Sequence, residues 1–99
     1  MRATRSHDEA MVEMLKTDTA FADEYLAVAL EEANQPGGKE AMLAALRQIA
    51  EANGMTAVAE RAGIPRESLY RALSPSGNPT IKTLLAVVNG VGLKLSVHR

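Results

Sequence analysis

The sequence predicts a single domain that is mainly α-helical, and three observations lead to this prediction. The chain has 99 residues, which is enough for one domain with a modest core. Apolar residues recur every three to four positions along most of it, which is the periodicity of amphipathic helices. Alanine is abundant, whereas β-branched residues cluster late in the chain. Only residues 93–98 alternate apolar and polar side chains, and they predict one short C-terminal strand.

The charged residues are distributed unevenly, although the formal net charge is only −1. Residues 1–53 carry five Lys and Arg against ten Asp and Glu, a balance of −5, whereas residues 54–99 carry six against two, a balance of +4. Such a split predicts that the later half meets a polyanion. The acidic earlier half is either simply solvated or meets a basic partner.

Composition also excludes several classes of protein. The chain has no cysteine, so disulfides, thiol catalysis and zinc-finger sites are ruled out. Its N-terminus lacks the apolar run of a secretory signal, and the apolar stretch at residues 84–88 is far too short to span a membrane. His7 and His98 stand alone, and no nucleophile triad or phosphate-binding glycine loop is present. We therefore expect a cytoplasmic protein that is not an enzyme and binds no metal or cofactor.

The N-terminal region is the least regular part of the predicted fold. Residues 1–7 are mostly small, polar or charged, and we expect them to be disordered. Residues 8–16 contain Met11, Met14 and Leu15 at a spacing that suits one helical turn. The sequence leaves open whether residues 8–16 form a helix or an extended arm.

The next helix is predicted to run from a cap at Asp18 or Thr19 to about Ala33. Its apolar surface is wide, and two acids lie at its C-terminal end, where the helix dipole disfavours negative charge. The simpler interpretation is a core helix with mildly unfavourable charges. The alternative is a surface that contacts a partner protein. The candidate partner-binding residues are Phe21, Tyr25, Val28, Glu31 and Glu32.

A third helical segment follows the break Asn-Gln-Pro-Gly-Gly at residues 34–38. Residues 39–53 give the most regular helical pattern of the chain, and Gly54 is expected to end it. Because the break is short, this helix should pack against its neighbour. Its inward stripe is predicted to consist of Met42, Leu46 and Ile49.

Residues 55–73 predict two short helices joined by a tight turn. Gly63 lies where the first helix must end in a permissive backbone conformation. Ile64 then supplies one apolar side chain to fill the gap between the helices. Pro65 suits the start of the second helix, where its missing N–H costs nothing.

The outer face of the second short helix carries side chains that suit the major groove of DNA. Arginine can bind guanine or a phosphate with two hydrogen bonds, and hydroxyl groups can bind phosphates or base edges. Glu67 could accept from a cytosine amine or orient Arg71. The alternative is an ordinary solvated helical hairpin. The candidate DNA-binding residues on this helix are Arg66, Glu67, Ser68, Tyr70 and Arg71.

Further candidates for DNA contact lie at two helix N-termini. Thr56 lies at the start of the first short helix, where free N–H groups attract anions, although it could also be a plain N-cap. A last helix is predicted from Thr80 to about Asn89, and Asn78 and Lys82 flank its start. The residues predicted to face inward on this helix are Ile81, Leu84, Leu85 and Val88.

The strand predicted at residues 93–98 needs a partner, because a lone strand cannot satisfy its backbone groups. The candidates are the same strand of a second subunit, a strand of a different protein and the arm before residue 16. A homodimer is preferred, since DNA readers of this type usually act as two-fold pairs. The residues expected to form the dimer strand are Leu93, Leu95 and Val97.

Several segments resemble known protein families. Residues 58–69, Val-Ala-Glu-Arg-Ala-Gly-Ile-Pro-Arg-Glu-Ser-Leu, resemble the helix-turn-helix of the lambda-repressor-like (Xre/Cro) superfamily. Residues 77–80, Gly-Asn-Pro-Thr, resemble the usual start of that superfamily's next helix. Residues 66–74, 77–80 and 92–97 together are similar to the addiction-module antidote (antitoxin) family. The resemblance covers residues 8–98.

The resemblance implies a particular organisation of the chain. Residues 39–91 would form a lambda-repressor-like, DNA-binding bundle of about five helices. Residues 8–38 would form an N-terminal helical extension, and residues 93–98 the C-terminal strand. By resemblance, the residues that meet the DNA backbone are Thr56, Asn78, Thr80 and Lys82.

The family resemblance also implies a biological role. Antitoxins of type II modules bind and neutralise a small toxin, typically an RNA-cleaving one, and repress their own operon. The expected partners are operator DNA, a small basic toxin and a second copy of the chain, with half-sites about 34 Å apart. Two other interpretations stay open: a stand-alone Xre-like repressor without a toxin partner, and a protein-interaction module that has lost DNA binding.

Overall fold

Six helices make up the described chain. The computed structural model describes residues 3–97, with residues 3–6 described by their backbone alone. Within that range there is no strand, and the predicted mainly α-helical class is confirmed. None of these helices is long and apolar enough to cross a membrane. The helices are α1 (Ala3–Thr17), α2 (Thr19–Glu31), α3 (Gly38–Asn53), α4 (Met55–Ala62), α5 (Arg66–Ala72) and α6 (Ile81–Gly90).

Helix α1 includes residues 8–16, so this segment is a helix and not an extended arm. The helix begins at Ala3, which means that residues 3–7, predicted to be disordered, are helical as well; residues 1 and 2 lie outside the described residues. Packing explains why residues 8–16 form a helix, because Leu15 is buried and Met11 packs partly against the core where α1 contacts α3. Most helical stability in proteins comes from such packing.

Helix α2 starts where its cap chemistry predicts. Asp18 has an extended backbone, and its Oδ1 accepts a hydrogen bond from the Phe21 N–H at 2.9 Å. Leu26 is buried against the core. The helix ends at Glu31, slightly before the predicted end at Ala33.

Removal of the Asp18 cap is expected to destabilise the domain measurably. Asp18→Ala leaves the Phe21 N–H without its side-chain acceptor, and the loss of such a cap costs about 1 kcal/mol of the free energy of unfolding. Asp23→Ala removes an exposed aspartate inside the same helix and should cost less than about 0.5 kcal/mol. Urea denaturation measures both values. Equal losses in the two variants would contradict the role of Asp18 as a cap.

Helix α3 is the centre of the core, because it contacts α1, α2, α4 and α6. Leu43, Leu46 and Ala50 are completely inaccessible to solvent. Gly38 opens the helix at a point where the preceding loop folds back closely, and a Cβ at this position would overlap the carbonyl oxygen of Glu32. A glycine is therefore required there for α2 and α3 to pack side by side.

Helices α4 and α5 form the predicted pair with a tight turn. Gly63 has a left-handed backbone with φ 74°, and the N–H groups of Gly63 and Ile64 donate to the Ala59 carbonyl at 2.9 and 3.1 Å. Ile64 packs partly against the core, and Pro65 occupies the N-cap position of α5. Local turn chemistry thus determines the corner that orients α5.

Helix α6 has its predicted orientation in part, since Val88 is buried and Leu84 packs partly against the core. The prediction that Ile81 and Leu85 face inward is wrong, because they are 71% and 42% exposed. Val87 is fully buried instead, and Gly90 approaches α4 so closely that a Cβ there would lie 3.0 Å from the Val58 carbonyl oxygen. The segment has more apolar residues than one face can hold, and this close approach at Gly90 selects which face turns inward.

The C-terminal strand is not found in the described chain. Residues 93–97 have no regular secondary structure, and His98 lies outside the described residues. Leu93 packs partly against the core, whereas Leu95 and Val97 are exposed. Leu95 and Val97 thus stay exposed on the face that a paired strand would bury, and residues 3–97 contain no strand with which this segment could pair.

Candidate nucleic-acid interface and partner groove

Helix α5 presents the predicted DNA-binding side chains on one outward face. Leu69 and Leu73, at the end of this helix, are completely buried and fix its orientation against the core. The opposite side carries the five side chains that sequence reasoning selected, of which only Ser68 is partly buried. Arg66, Glu67, Tyr70 and Arg71 are exposed. We call these four residues and Ser68 the α5 face.

The two arginines of the α5 face are available to an external acceptor. The Arg66 guanidinium carbon lies 5.5 Å from the centre of the Tyr70 ring, and its Nη2 is 3.5 Å from the Tyr70 hydroxyl. Among residues 3–97, no ion pair involves Arg66 or Arg71. Their planar groups of N–H donors can therefore bind a carboxylate, a phosphate or a guanine edge.

A shallow cavity of about 380 Å³ adjoins the C-terminal end of α5. It forms because the following loop folds back on the helix: the Gly77 N–H donates to the Ser74 carbonyl at 2.8 Å, and the Ser74 hydroxyl donates to the Arg71 carbonyl at 2.8 Å. Gly77 is buried, and a Cβ there would overlap the Ala72 carbonyl oxygen. The cavity lining includes Ser68, Arg71, Ser74, Ser76 and Asn78.

Asn78 has a hydrogen-bond partner, Lys39, that the sequence did not indicate. The Nζ atom of Lys39, near the start of α3, donates to the Asn78 Oδ1 at 3.0 Å. Lys39 and Asn78 are 39 positions apart, so no local pattern connects them. The only sequence signal was a lysine directly after the glycine break that opens α3.

The remaining predicted contacts lie at helix starts, as expected. Thr80 caps α6, since its hydroxyl oxygen accepts from the Thr83 N–H at 3.1 Å, and Lys82 is exposed in the first turn. Thr56 is exposed in the first turn of α4, but it is not the N-cap. That position belongs to Gly54, which offers no side chain to the free N–H groups of α4.

A second surface lies between α2 and α3. It is an open groove of about 330 Å³, and we call it the α2–α3 groove. Three of the predicted partner-binding residues form its apolar wall, and the rings of Phe21 and Tyr25 stack with centroids 5.8 Å apart. Glu32 lines the groove, but Glu31 does not and faces the C-terminal segment instead. The lining residues are Phe21, Glu24, Tyr25, Val28, Ala29, Glu32, Ala41 and Ala45.

A polar network behind the groove fixes Tyr25. Its hydroxyl donates to Gln48 Oε1 at 2.6 Å, and Gln48 Nε2 donates to Asp8 Oδ1 at 2.7 Å. The Asp8 oxygen also lies 3.5 Å from Nη2 of Arg47. Burial raises the pKa of Tyr25, and the neighbouring Asp8 raises it further, so the hydroxyl remains a neutral donor near pH 7.

Residues 3–97 contain no cluster of His, Asp and Glu side chains that could hold a metal ion. The described features are an arginine-bearing helix on one side and an acidic, apolar groove on another.

The family of this protein follows from its match over residues 5–99 to a family described as "Probable addiction module antidote protein". The chain belongs to that family, as its sequence resemblance predicts. The family's name implies a toxin partner in general and suggests a regulatory protein that is not an enzyme. An uncharacterized protein of Haemophilus influenzae is 38% identical over 93 residues, which cover 90% of this chain and 96% of the relative. No solved structure matches the chain.

Proposed function

We propose that this protein is the antitoxin of a type II toxin–antitoxin module, which neutralises an RNA-cleaving toxin and represses its own operon by binding DNA. The family assignment supports the antitoxin role. The α5 face is the observation that supports DNA binding. Its two arginines form no ion pair within residues 3–97, and they project from a helix that buried leucines anchor to the core. Both roles belong to a protein that works in the cytoplasm.

In this proposal, α4 and α5 act as a helix-turn-helix of the lambda-repressor-like (Xre/Cro) type. Helix α5 enters the major groove, where Arg66 and Arg71 bind guanine O6 and N7 or a flanking phosphate. The hydroxyls of Ser68 and Tyr70 bind base edges or phosphates. Glu67 accepts from a cytosine amine or orients Arg71.

The DNA backbone is held beside this helix by groups that converge from other elements. Thr56 lies at the uncapped start of α4, where N–H groups attract a phosphate. Asn78, Thr80 and Lys82 lie around the start of α6. Lys39 adds a cation next to Asn78, which itself lines the cavity at the end of α5.

Two copies of the chain would read a two-fold operator with half-sites about 34 Å apart. Residues 39–91 then form the DNA-binding core, and residues 8–38 form an extension whose helix α2 faces the toxin. Equilibrium sedimentation of the chain with and without operator DNA tests this stoichiometry.

Co-purification with the product of the adjacent gene tests the proposal. Both proteins are expressed together, and only the neighbour carries an affinity tag. A stoichiometric complex in which the neighbour's toxicity is lost is the expected result. Retardation of the chain's own promoter DNA without such a complex would contradict the antitoxin role and favour a stand-alone repressor. A complex without any DNA retardation would favour a protein-interaction module, which the slightly acidic net charge of −1 also suits.

Binding to the promoter is expected to weaken steeply as salt is raised. Each phosphate that a cation neutralises contributes about −0.9 to the slope of log K against log salt concentration. Lys82→Ala should therefore reduce the slope by about one for each bound copy, or about two for the pair, without changing sequence preference. Lys94→Ala removes an exposed lysine that lies beside α2 and should leave the slope unchanged. A slope that is identical in both variants and the wild type would contradict the contact assigned to Lys82.

A further inference from the structure

We infer that the α2–α3 groove binds an amphipathic α-helix of the toxin that places an apolar side chain between two Lys or Arg residues. This inference rests on the proposed antitoxin function, since it specifies where and how the toxin is held. It concerns the chemistry of the bound segment, which the family assignment does not address.

The groove suits an apolar side chain because of its wall and its floor. Phe21, Tyr25 and Val28 form the wall, and Val28 is 41% exposed at the surface of a folded domain. The floor consists of alanines, which leave room for a second helix to approach. A volume of about 330 Å³ lies at the small end of ligand pockets, so the groove accepts one or two large side chains and not a whole domain.

The backbone around the groove favours a helix over an extended segment. The lining residues lie in α2, in α3 or at the residue that caps α2, and their N–H and C=O groups are largely engaged within these helices. An extended segment would find few backbone partners there, whereas a helix satisfies its own backbone groups. Insertion of an amphipathic helix into an apolar groove is therefore the binding mode that fits.

The charges around the groove specify the flanking residues. Glu24 and Glu32 both line it, and no ion pair involves either one among residues 3–97. They are about two helical turns apart, or roughly 12 Å along α2, with Val28 midway. Glu32 also lies at the C-terminal end of α2, where the helix dipole adds partial negative charge. The bound helix should thus carry two cations seven or eight residues apart, with the apolar residue between them.

The wall is already ordered before a partner binds. Tyr25 is held by the hydrogen bond to Gln48, which is held in turn by Asp8, and Phe21 stacks on the Tyr25 ring. A preorganised wall loses little conformational freedom on binding, which favours affinity.

The test measures toxin affinity of the purified full chain by calorimetry or interferometry. Val28→Lys places a cation at the centre of the groove and should weaken binding by about 100-fold, the effect of removing an interface anchor. Met14→Lys, on α1, makes the same change at an exposed position outside the groove and should leave affinity unchanged. Glu24→Gln with Glu32→Gln should slow association and reduce its salt dependence, with a loss of about tenfold.

The outcomes separate this inference from the proposed function. A wild-type chain that does not bind the neighbour's product contradicts the antitoxin role itself. Wild-type binding that survives both Val28→Lys and the double glutamine variant overturns the groove assignment alone. Promoter retardation by each variant, which should equal that of the wild type, verifies that the fold is intact. A loss of toxin affinity with promoter binding retained is the result that we expect.

Discussion

Replacement of Arg66 and Arg71 by alanine is expected to abolish specific binding to the promoter while the domain stays folded. Both side chains are exposed and have no ion-pair partner in the described chain, so their loss should change the free energy of unfolding by less than about 0.5 kcal/mol. Each bidentate arginine–guanine contact contributes about 1–3 kcal/mol. The double variant should therefore lose roughly 30-fold to more than 10,000-fold in affinity for each half-site.

The control for this prediction must remove the same charge elsewhere. Lys16→Ala with Lys94→Ala also lowers the net charge by two, at exposed positions away from α5. If α5 reads the DNA, the lysine pair should change affinity by only about threefold, through the general electrostatic attraction. Equal losses in the two double variants would show that net charge, and not the α5 face, governs binding. Titrations at one fixed salt concentration make the comparison valid.

Leu69→Ala is expected to give the largest loss of stability among single changes in the helix-turn-helix. The Leu69 side chain is completely buried, and its truncation leaves a cavity in the contact between α5 and the core. Such leucine truncations cost about 2–5 kcal/mol, which is a large part of the roughly 5–15 kcal/mol that stabilises a small domain. The variant should also lose DNA binding, because Leu69 fixes the orientation of the α5 face.

Leu85→Ala is the matched control for this stability prediction. Leu85 is 42% exposed on α6, although the sequence pattern predicts it inside, and its truncation should cost less than about 1 kcal/mol. Urea denaturation, with the two variants compared at equal m-value, measures the difference. If Leu85→Ala were as destabilising as Leu69→Ala, the orientation of α6 described above would be wrong.

Local chemistry made several helix boundaries predictable from sequence. Asp18 accepts the Phe21 N–H at the start of α2, Gly63 supplies the left-handed end of α4, and Pro65 opens α5. Each of these residues contacts or shapes backbone only three or four positions away, so the sequence alone is enough to predict the helix boundary. The outward direction of the α5 face followed from the same periodicity, because Leu69 and Leu73 could only face the core.

Packing between distant segments was not predictable in the same way. The apolar run in α6 is compatible with two orientations, and the close approach of Gly90 to Val58 decides between them. The contact of Lys39 with Asn78 depends on how α3 lies beside the loop after α5. The pattern at residues 93–97 predicts a strand, but an alternating pattern cannot supply the partner that a strand requires.

The α2–α3 groove was predicted in part. The wide apolar face of α2 indicated Phe21, Tyr25 and Val28, but the groove exists only because alanines of α3 lie opposite them. The hydrogen bond from Tyr25 to Gln48 likewise joins two helices that a local pattern cannot relate. The apolar face and the acids of α2 thus indicated the helix that lines the groove, and the packing of α2 on α3 determined which acids line it.

The central claim is that this chain represses through the α5 face and neutralises through the α2–α3 groove. One strain that carries both a promoter reporter and the inducible neighbouring gene tests it directly. We predict that Arg66→Ala with Arg71→Ala still neutralises toxicity but no longer represses the reporter, and that Val28→Lys does the opposite. Loss of both activities in each variant, at equal protein levels and with folding intact, would contradict the claim that the two surfaces act separately.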